Sequence, residues 1–274
     1  MPWCMPTSTV LVHEMSVPIV DWPEELSGLR IAHVSDLHFR RWNETLRHAQ
    51  ERLVDIDYDL LLVTGDFGTV RRHWQKAADL TQRFFGPLIG LSAIYAVLGN
   101  HDDPRIADAP DMPVTFLRNE SKCFEFNGAA LNIAGVEQNH RKAGNLGATL
   151  SSCQPGLPTI LMAHYPSTVF RIPPDRVQLV LSGHTHGGQI RVPWLGCVWA
   201  NDRIPRRMAR GLHNVDGISI HVSAGIGASL PIPVRVYCPP EVSVLTLRPS
   251  GPAISLHLKP AKTRKIRRTM SAGV

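Results

Sequence analysis

Three apolar runs between residues 29 and 98 each end abruptly in a polar cluster, with segments of helical periodicity between them. Residues 29–34 read as a buried strand followed at once by Ser35-Asp36-Leu37-His38. Residues 60–63 form a second such run, closing in Thr64-Gly65-Asp66, and residues 93–98 a third, closing in Gly99-Asn100-His101-Asp102. Short continuous apolar runs bounded by turn residues suit strands buried on both faces. Between them, residues 43–54 place Leu46, Ala49, Leu53 and Val54 on one helical face, with Asn43 as N-cap. Residues 73–85 do the same with Trp74, Ala77, Ala78, Phe84 and Phe85, and Gly86-Pro87 ends that helix. Strand, helix, strand, helix, strand is the pattern of parallel βαβ units. Ligands in such sheets sit beyond the carboxyl ends of the strands, where all three runs here deliver polar side chains.

The second half repeats the arrangement. Residues 114–117, 122–126 and 130–134 read as short strands in an antiparallel run. Residues 159–163 form a strand ending in His164, and residues 177–181 one ending in Ser182-Gly183-His184-Thr185-His186-Gly187-Gly188. Further strands are expected at 218–222, 234–238, 242–247 and 253–257. No internal repeat and no linker precede residue 259. One domain over residues 1–258, built from two stacked sheets, is therefore expected.

The strand-end residues form a chemical set: Asp36, His38, Asp66, Asn100, His101, Asp102, His164, His184 and His186. Two of these carboxylates, the amide oxygen and four of the imidazoles would suit two divalent metal ions of hard-to-borderline character. Paired ions, roughly 3.5–4 Å apart, can clamp a phosphoryl group in line with an attacking oxygen. Glycines at the same turns, Gly65, Gly99, Gly183 and Gly187, let backbone approach a ligand closely.

The order Asp36-x-His38, Gly65-Asp66, Gly99-Asn100-His101-Asp102, His164, Gly183-His184-Thr185-His186 resembles the calcineurin-like metallophosphoesterase signature. The longer string at 183–193, GHTHGGQIRVP, is similar to the subgroup of YkuE/YaeI-type phosphodiesterases, which also contains enzymes cleaving UDP-diacylglucosamine in lipid A synthesis. The likeness extends over roughly residues 16–247, through Leu26-Ser27-Gly28-Leu29-Arg30-Ile31 and Pro240-Glu241-Val242. It implies an α/β fold, a four-layer α/β/β/α sandwich of two mixed sheets. It implies that Asp36, His38 and His186 hold one metal, that Asn100, His164 and His184 hold the other, and that Asp66 bridges them. The metals would be Mn, Fe or Zn. A hydroxide between them would attack a phosphodiester or pyrophosphate bond, with His101 as the catalytic imidazole and Asp102 either orienting it or capping the helix or turn that follows. The UDP-2,3-diacylglucosamine-type pyrophosphate hydrolase is the alternative activity; a nuclease or a non-catalytic scaffold ranks lower. Phe67-Gly68-Thr69 departs from the family pattern after Gly65-Asp66, which bears on substrate geometry.

Composition narrows the partners. The chain has 274 residues, 43% of them hydrophobic, enough for a sizeable core. Its 29 basic and 23 acidic residues leave a net charge of +6. Six of the basic residues (Lys259, Lys262, Arg264, Lys265, Arg267 and Arg268) fall in an acid-free tail at 259–274, so the remainder is balanced. That tail reads as disordered, with weak affinity for anionic membranes. The expected substrate is a phosphorylated small molecule or a lipid-linked phosphate, and nucleic acid is not expected. No apolar run approaches the roughly 18 residues of a membrane span. Five scattered cysteines lack any C-x-x-C pair and read as free thiols, so a cytoplasmic location, peripheral to the membrane at most, is expected.

Other residues carry ordinary readings. His33, His48, His73, His140, His213, His221 and His257 are taken as structural. Gly225-Ile226-Gly227 is taken as a turn. Arg191 and the run His140-Arg141-Lys142 are taken as solvated charge. Trp194 and Trp199, flanking Cys197, are expected to pack beneath their loop, with an apolar lip as the other possibility.

Overall fold

The structure, a computed structural model, describes residues 9–138, 144–229 and 233–250. Two mixed six-stranded sheets lie face to face. The first runs in the order β1 (Leu11–Val20), β14 (Glu241–Ser250), β2 (Arg30–Val34), β3 (Leu60–Thr64), β4 (Ala93–Val97) and β5 (Thr115–Phe116). The second runs β12 (Gly211–Val215), β13 (Ile218–Val222), β9 (Leu179–Ser182), β8 (Thr159–Ala163), β7 (Ala129–Val136) and β6 (Glu120–Phe126). Strands β2, β3 and β4 pair in parallel, as do β7, β8 and β9, so their carboxyl ends share one edge of the sandwich.

The alternation of side chains across each strand sorts the core into three layers. Ile31, Leu60 and Leu62 point inward and meet Leu131, Ile133, Ile160, Met162, Leu179 and Leu181 of the second sheet. Ala32, Val34, Leu61, Val63 and Ala96 point outward beneath α1 (Glu44–Asp55) and α2 (Trp74–Phe85). Ala134, Val136, Leu161, Val180, Ile220 and Val222 point out from the second sheet. They are covered by α3 (Leu146–Ser151) and by 3₁₀ turns carrying Val169 and Met208. This is the expected four-layer α/β/β/α arrangement. Each fully buried leucine or isoleucine is worth about 1.5–3 kcal/mol of transfer free energy.

Asn43 caps α1 as expected, its side-chain oxygen accepting from the Leu46 N–H. Val54 does not join Leu46, Ala49 and Leu53 in the core but is half exposed. The helix at α2 is preceded by a 3₁₀ turn, Arg71–His73.

Several boundaries differ from expectation. Thr115–Phe116 pairs in parallel with β4 in the first sheet, so the antiparallel run of three is only the pair β6–β7. The chain crosses between sheets just after Leu117, packed so tightly on Gly135 that a Cβ there would overlap Leu117. The strand expected at 234–238 is reduced to one bridge, Ile190 to Val236. Prolines at 233, 239 and 240 lack the N–H a ladder needs, and Arg235 turns inward to bond the carbonyls of Ala224, Gly225 and Gly227. The run at 177–181 begins its ladder only at Leu179. The strand expected at 253–257 and the tail at 259–274 lie outside the described residues, as does His140-Arg141-Lys142. Strands β1 and β12 and helix α3 were not expected from the sequence. β1 is a half-exposed edge strand containing Pro18, without a continuous apolar signal.

Candidate metal centre

The polar clusters after β2, β3, β4, β8 and β9 converge at the shared sheet edge. Two groups form, in each of which the ligand atoms lie within 4.8 Å of one another: Asp36, His38, Asp66 and His186, and Asp66, His164 and His184. Asp66 belongs to both. Asn100 joins the second group, its Oδ1 lying 3.0 Å from His164 Nε2. All seven side chains expected to hold metal are thus brought together. Six of them are buried, and Asn100 is partly open.

The local backbone is strained to achieve this. Asp36, His38, Asp66, His184 and His186 all adopt left-handed conformations, with φ between 47° and 69°. Non-glycine residues in that region are costly, and they gather where surrounding structure over-determines them. Two glycines make room. A Cβ on Gly99 would overlap the Asp66 carboxylate, and one on Gly183 would overlap Ser35 and Asp36.

Hydrogen bonds to carbonyls fix the imidazole tautomers. A carbonyl only accepts, so the ring nitrogen facing it must donate. His38 Nδ1 faces Gly68 O at 3.2 Å and His164 Nδ1 faces Thr64 O at 2.7 Å, leaving each Nε2 as a lone pair in the cluster. His184 is reversed: Nε2 faces Asn201 O at 2.7 Å, which leaves Nδ1 inward. Such outer bonds are what orient metal-binding histidines. The inward atoms crowd together as acceptors. His38 Nε2 lies 3.0 Å from His186 Nε2, and His164 Nε2 lies 3.3 Å from Asp66 Oδ2.

The electrostatics call for a cation. Burial raises Asp36 to about 6, with the Asp66 charge adding to the rise. Burial opposes ionisation of Asp66 too, but His164, His38 and His101 outweigh it and hold that carboxyl well below the usual range. Burial depresses His38 and His184 to about 4. It disfavours the charged form of His164 as well, yet Asp66 and Asp36 push that imidazole up to about 10. The two carboxylates thus raise the affinity of the inward His164 Nε2 lone pair for positive charge, whether a proton or a metal cation. A donor set of carboxylate, amide and imidazole groups with inward lone pairs fits two divalent cations.

His101 is partly buried beside the cluster. Its N–H donates to Asp66 Oδ1 at 2.8 Å, its Nδ1 faces Thr69 O at 3.2 Å, and its ring lies edge-on to His38. Asp102 does not touch the His101 ring but bonds backbone. It is fully buried, and its two oxygens accept from the N–H groups of Gly68 and Gly99 at 2.8 Å each. These bonds tie the β3 and β4 loops together, and the His101 ring is instead held by Thr69. Burial, with the Asp66 charge, raises Asp102 to about 7.

Further residues position the site, Arg71 and Tyr165 among them unanticipated. Arg71 donates to Asn100 O at 2.6 Å. Tyr165 packs its ring edge-on to His184, with centroids 4.5 Å apart. The carbonyls of Gly68 and Thr69, in the departing Phe67-Gly68-Thr69 loop, hold His38 and His101. Tyr165 carried a signal in standing directly after His164; Arg71 carried none. Arg191 is half-buried rather than solvated, donating to Gly187 O at 2.8 Å.

The sequence profile of the calcineurin-like phosphoesterases matches residues 29–188, the stretch that contains every one of these side chains. The chain belongs to that family. It is similar to YkuE, an uncharacterised metallophosphoesterase of Bacillus subtilis (strain 168), with 28% identity over 239 residues, covering 82% of this chain and 81% of that protein. It is similar to the phosphodiesterase YaeI of Escherichia coli (strain K12), with 26% identity, covering 82% and 84%. It also resembles LpxG of Chlamydia trachomatis, a UDP-2,3-diacylglucosamine pyrophosphatase, at 26% identity over 281 residues, covering 80% and 84%. The family is one of metal-dependent phosphoesterases, and the clustered ligand groups of this member are intact. Among the described residues, no helix is long and apolar enough to cross a membrane.

Proposed function

We propose that this phosphoesterase hydrolyses a phosphodiester or pyrophosphate bond using two divalent cations held by Asp36, His38, Asp66, Asn100, His164, His184 and His186. The observation that carries the reading is the convergence of buried carboxylates and inward imidazole lone pairs on two adjoining groups that share Asp66. Bound there, the cations supply Lewis acidity, lowering the pKa of water and drawing charge off a phosphoryl oxygen. The chain's own part is to hold that set rigid. Carbonyls of Gly68, Thr64 and Asn201 fix three imidazoles, and the Asp66 carboxylate is steadied by the His101 N–H. The His101 ring, partly buried beside His38, is placed to bind a phosphoryl oxygen or to protonate the leaving oxygen. Asp102 acts as a positioning residue, keeping the loops that carry Asp66 and Asn100 in register.

A pyrophosphate within a glycolipid precursor is the second reading, favoured by the similarity to LpxG over most of both chains. Hydrolysis of an aryl phosphodiester, assayed with added Mn²⁺, Fe²⁺, Co²⁺ or Zn²⁺, tests the main reading. Activity that appears with a divalent ion and vanishes on chelation supports it; a folded protein inert with all four overturns it. Restoring growth to a strain lacking the UDP-diacylglucosamine hydrolase tests the second.

A further inference from the structure

Directly after the metal-ligand turn the chain forms a small finger. β10 (Arg191–Val192) and β11 (Gly196–Cys197) pair antiparallel over two residues each, and Pro193-Trp194-Leu195 make the tip. Trp194 is fully exposed, at 104%, with Leu195 at 69% and Trp199 at 73%. Both tryptophans thus point to solvent instead of packing under their loop as expected. The bridge from Ile190 to Val236 brings exposed Val236 and Tyr237 alongside. Single exposed apolar residues are ordinary, but a contiguous set is not.

The finger is rigidly rooted, so its exposure is built in. Buried Cys197 packs so closely on Gly188 that a Cβ there would overlap its sulfur. Arg191 ties the first strand back to Gly187, and the residue following the finger by two, Asn201, accepts from the His184 ring. The tip therefore stands clear of a root that is continuous with the metal ligands His184 and His186.

The charge around it is mostly positive. The 3₁₀ turn Arg206–Ala209 packs beside β11, and Arg191 and Arg206 both bear electrostatically on Cys197. Arg203, Arg206 and Arg207 are exposed and, among the described residues, form no ion pair. The nearest carboxylate in sequence, Asp202, is taken up by the N–H groups of Ser167 and Arg203. Tryptophan and aliphatic side chains at a tip, flanked by arginines, match the needs of a lipid interface, where rings enter the headgroup layer and cations meet anionic lipids. A protein partner fits less well. Stable protein interfaces cover roughly 800 Å² per side, more than a finger of two-residue strands presents.

We propose that the finger at 190–199 docks this protein on anionic lipid bilayers through Trp194, Leu195 and Trp199, presenting the metal cluster at the membrane surface. The docking does not depend on the phosphoesterase reading. Nor does it need the basic tail. β14 runs antiparallel to β2, so its last residue, Ser250, lies at the sheet edge opposite the metal cluster.

The test uses the full-length chain and vesicles of phosphatidylcholine alone or mixed with phosphatidylglycerol at low salt. Co-sedimentation with the anionic vesicles is expected, and Trp194→Ser with Leu195→Ser should weaken it at least about tenfold with an unchanged melting temperature. Brominated lipids should quench tryptophan fluorescence, and Trp194→Phe should keep binding while losing part of that quenching. Replacing the six basic residues of 259–268 by glutamine should leave binding that the finger variant still removes. No binding to anionic vesicles overturns the proposal. So does binding that the finger variant leaves intact and the tail replacement abolishes. So does lipid-free self-association that the finger variant abolishes, which would make a second copy the occupant.

Discussion

Two adjacent stretches, 182–188 and 190–199, reverse the usual relation between polarity and burial in opposite directions. In the first, His184 and His186 are buried in left-handed conformations among carboxylates. In the second, Trp194 and Trp199 stand in water on a rooted hairpin. Both arrangements cost stability unless something absent from the bare fold offsets them. For the first, that something is positive charge within the cluster. For the second, it is an apolar surface to lie against. An inversion of burial marks a binding site in both cases, and its sign tells what chemistry is bound.

The largest expected effect lies in the first stretch. Asp66→Ala removes the carboxylate shared by both ligand groups, and phosphodiester hydrolysis should fall to background while circular dichroism stays native. His101→Ala should lower kcat on the order of 10²–10⁴-fold with metal content nearly unchanged. Loss of both metals in that variant would instead make His101 a ligand.

A buried polar pair outside the cluster sharpens the comparison. His33 Nδ1 lies 2.8 Å from His221 Nδ1, deep between the sheets. Burial holds His33 well below its ordinary pKa and His221 at about 4. The folded state therefore disfavours protonation that the unfolded chain accepts near 6.5. Stability should be intact above about pH 6.5 and decline as pH falls toward 4, by about a few kcal/mol. Unfolding in denaturant at pH 7.5 and pH 5, compared between wild type and His221→Gln, should show a smaller loss in the variant. An equal loss would place the titrating groups elsewhere.

The smallest effect contrasts buried with exposed apolar groups. Leu62→Ala in the inner core should cost about 2–5 kcal/mol. Trp194→Ser should change stability in lipid-free buffer by no more than about 0.5 kcal/mol. A large destabilisation by Trp194→Ser would mean that the finger packs, contrary to its exposure here.

How far the sequence reaches follows the same division. Asp36, His38, Asp66, Asn100, His164, His184 and His186 were legible because their types are unusual at strand ends and recur at every turn of one sheet edge. The buried strands β2, β3, β4 and β8 were legible because continuous apolar runs have few other uses. Residues whose role is created by tertiary placement were not. Arg71 reaches Asn100 from another loop, and Asp102 bonds Gly68 across to the loop after β3. Strand β1 hid because an edge strand needs no continuous apolar run, and Thr115–Phe116 was assigned to the wrong sheet because pairing depends on the crossover at Gly135. The tryptophans misled for a general reason: large aromatics usually indicate core, and only the rooted hairpin shows them outside it.

Metal stoichiometry bears most directly on the central claim. The wild-type chain, equilibrated with Mn²⁺, Fe²⁺, Co²⁺ or Zn²⁺ and freed of excess ion, should retain two divalent ions per chain by elemental analysis. Asp66→Ala should retain one at most. A well-folded wild-type chain that retains none of the four ions would contradict the account.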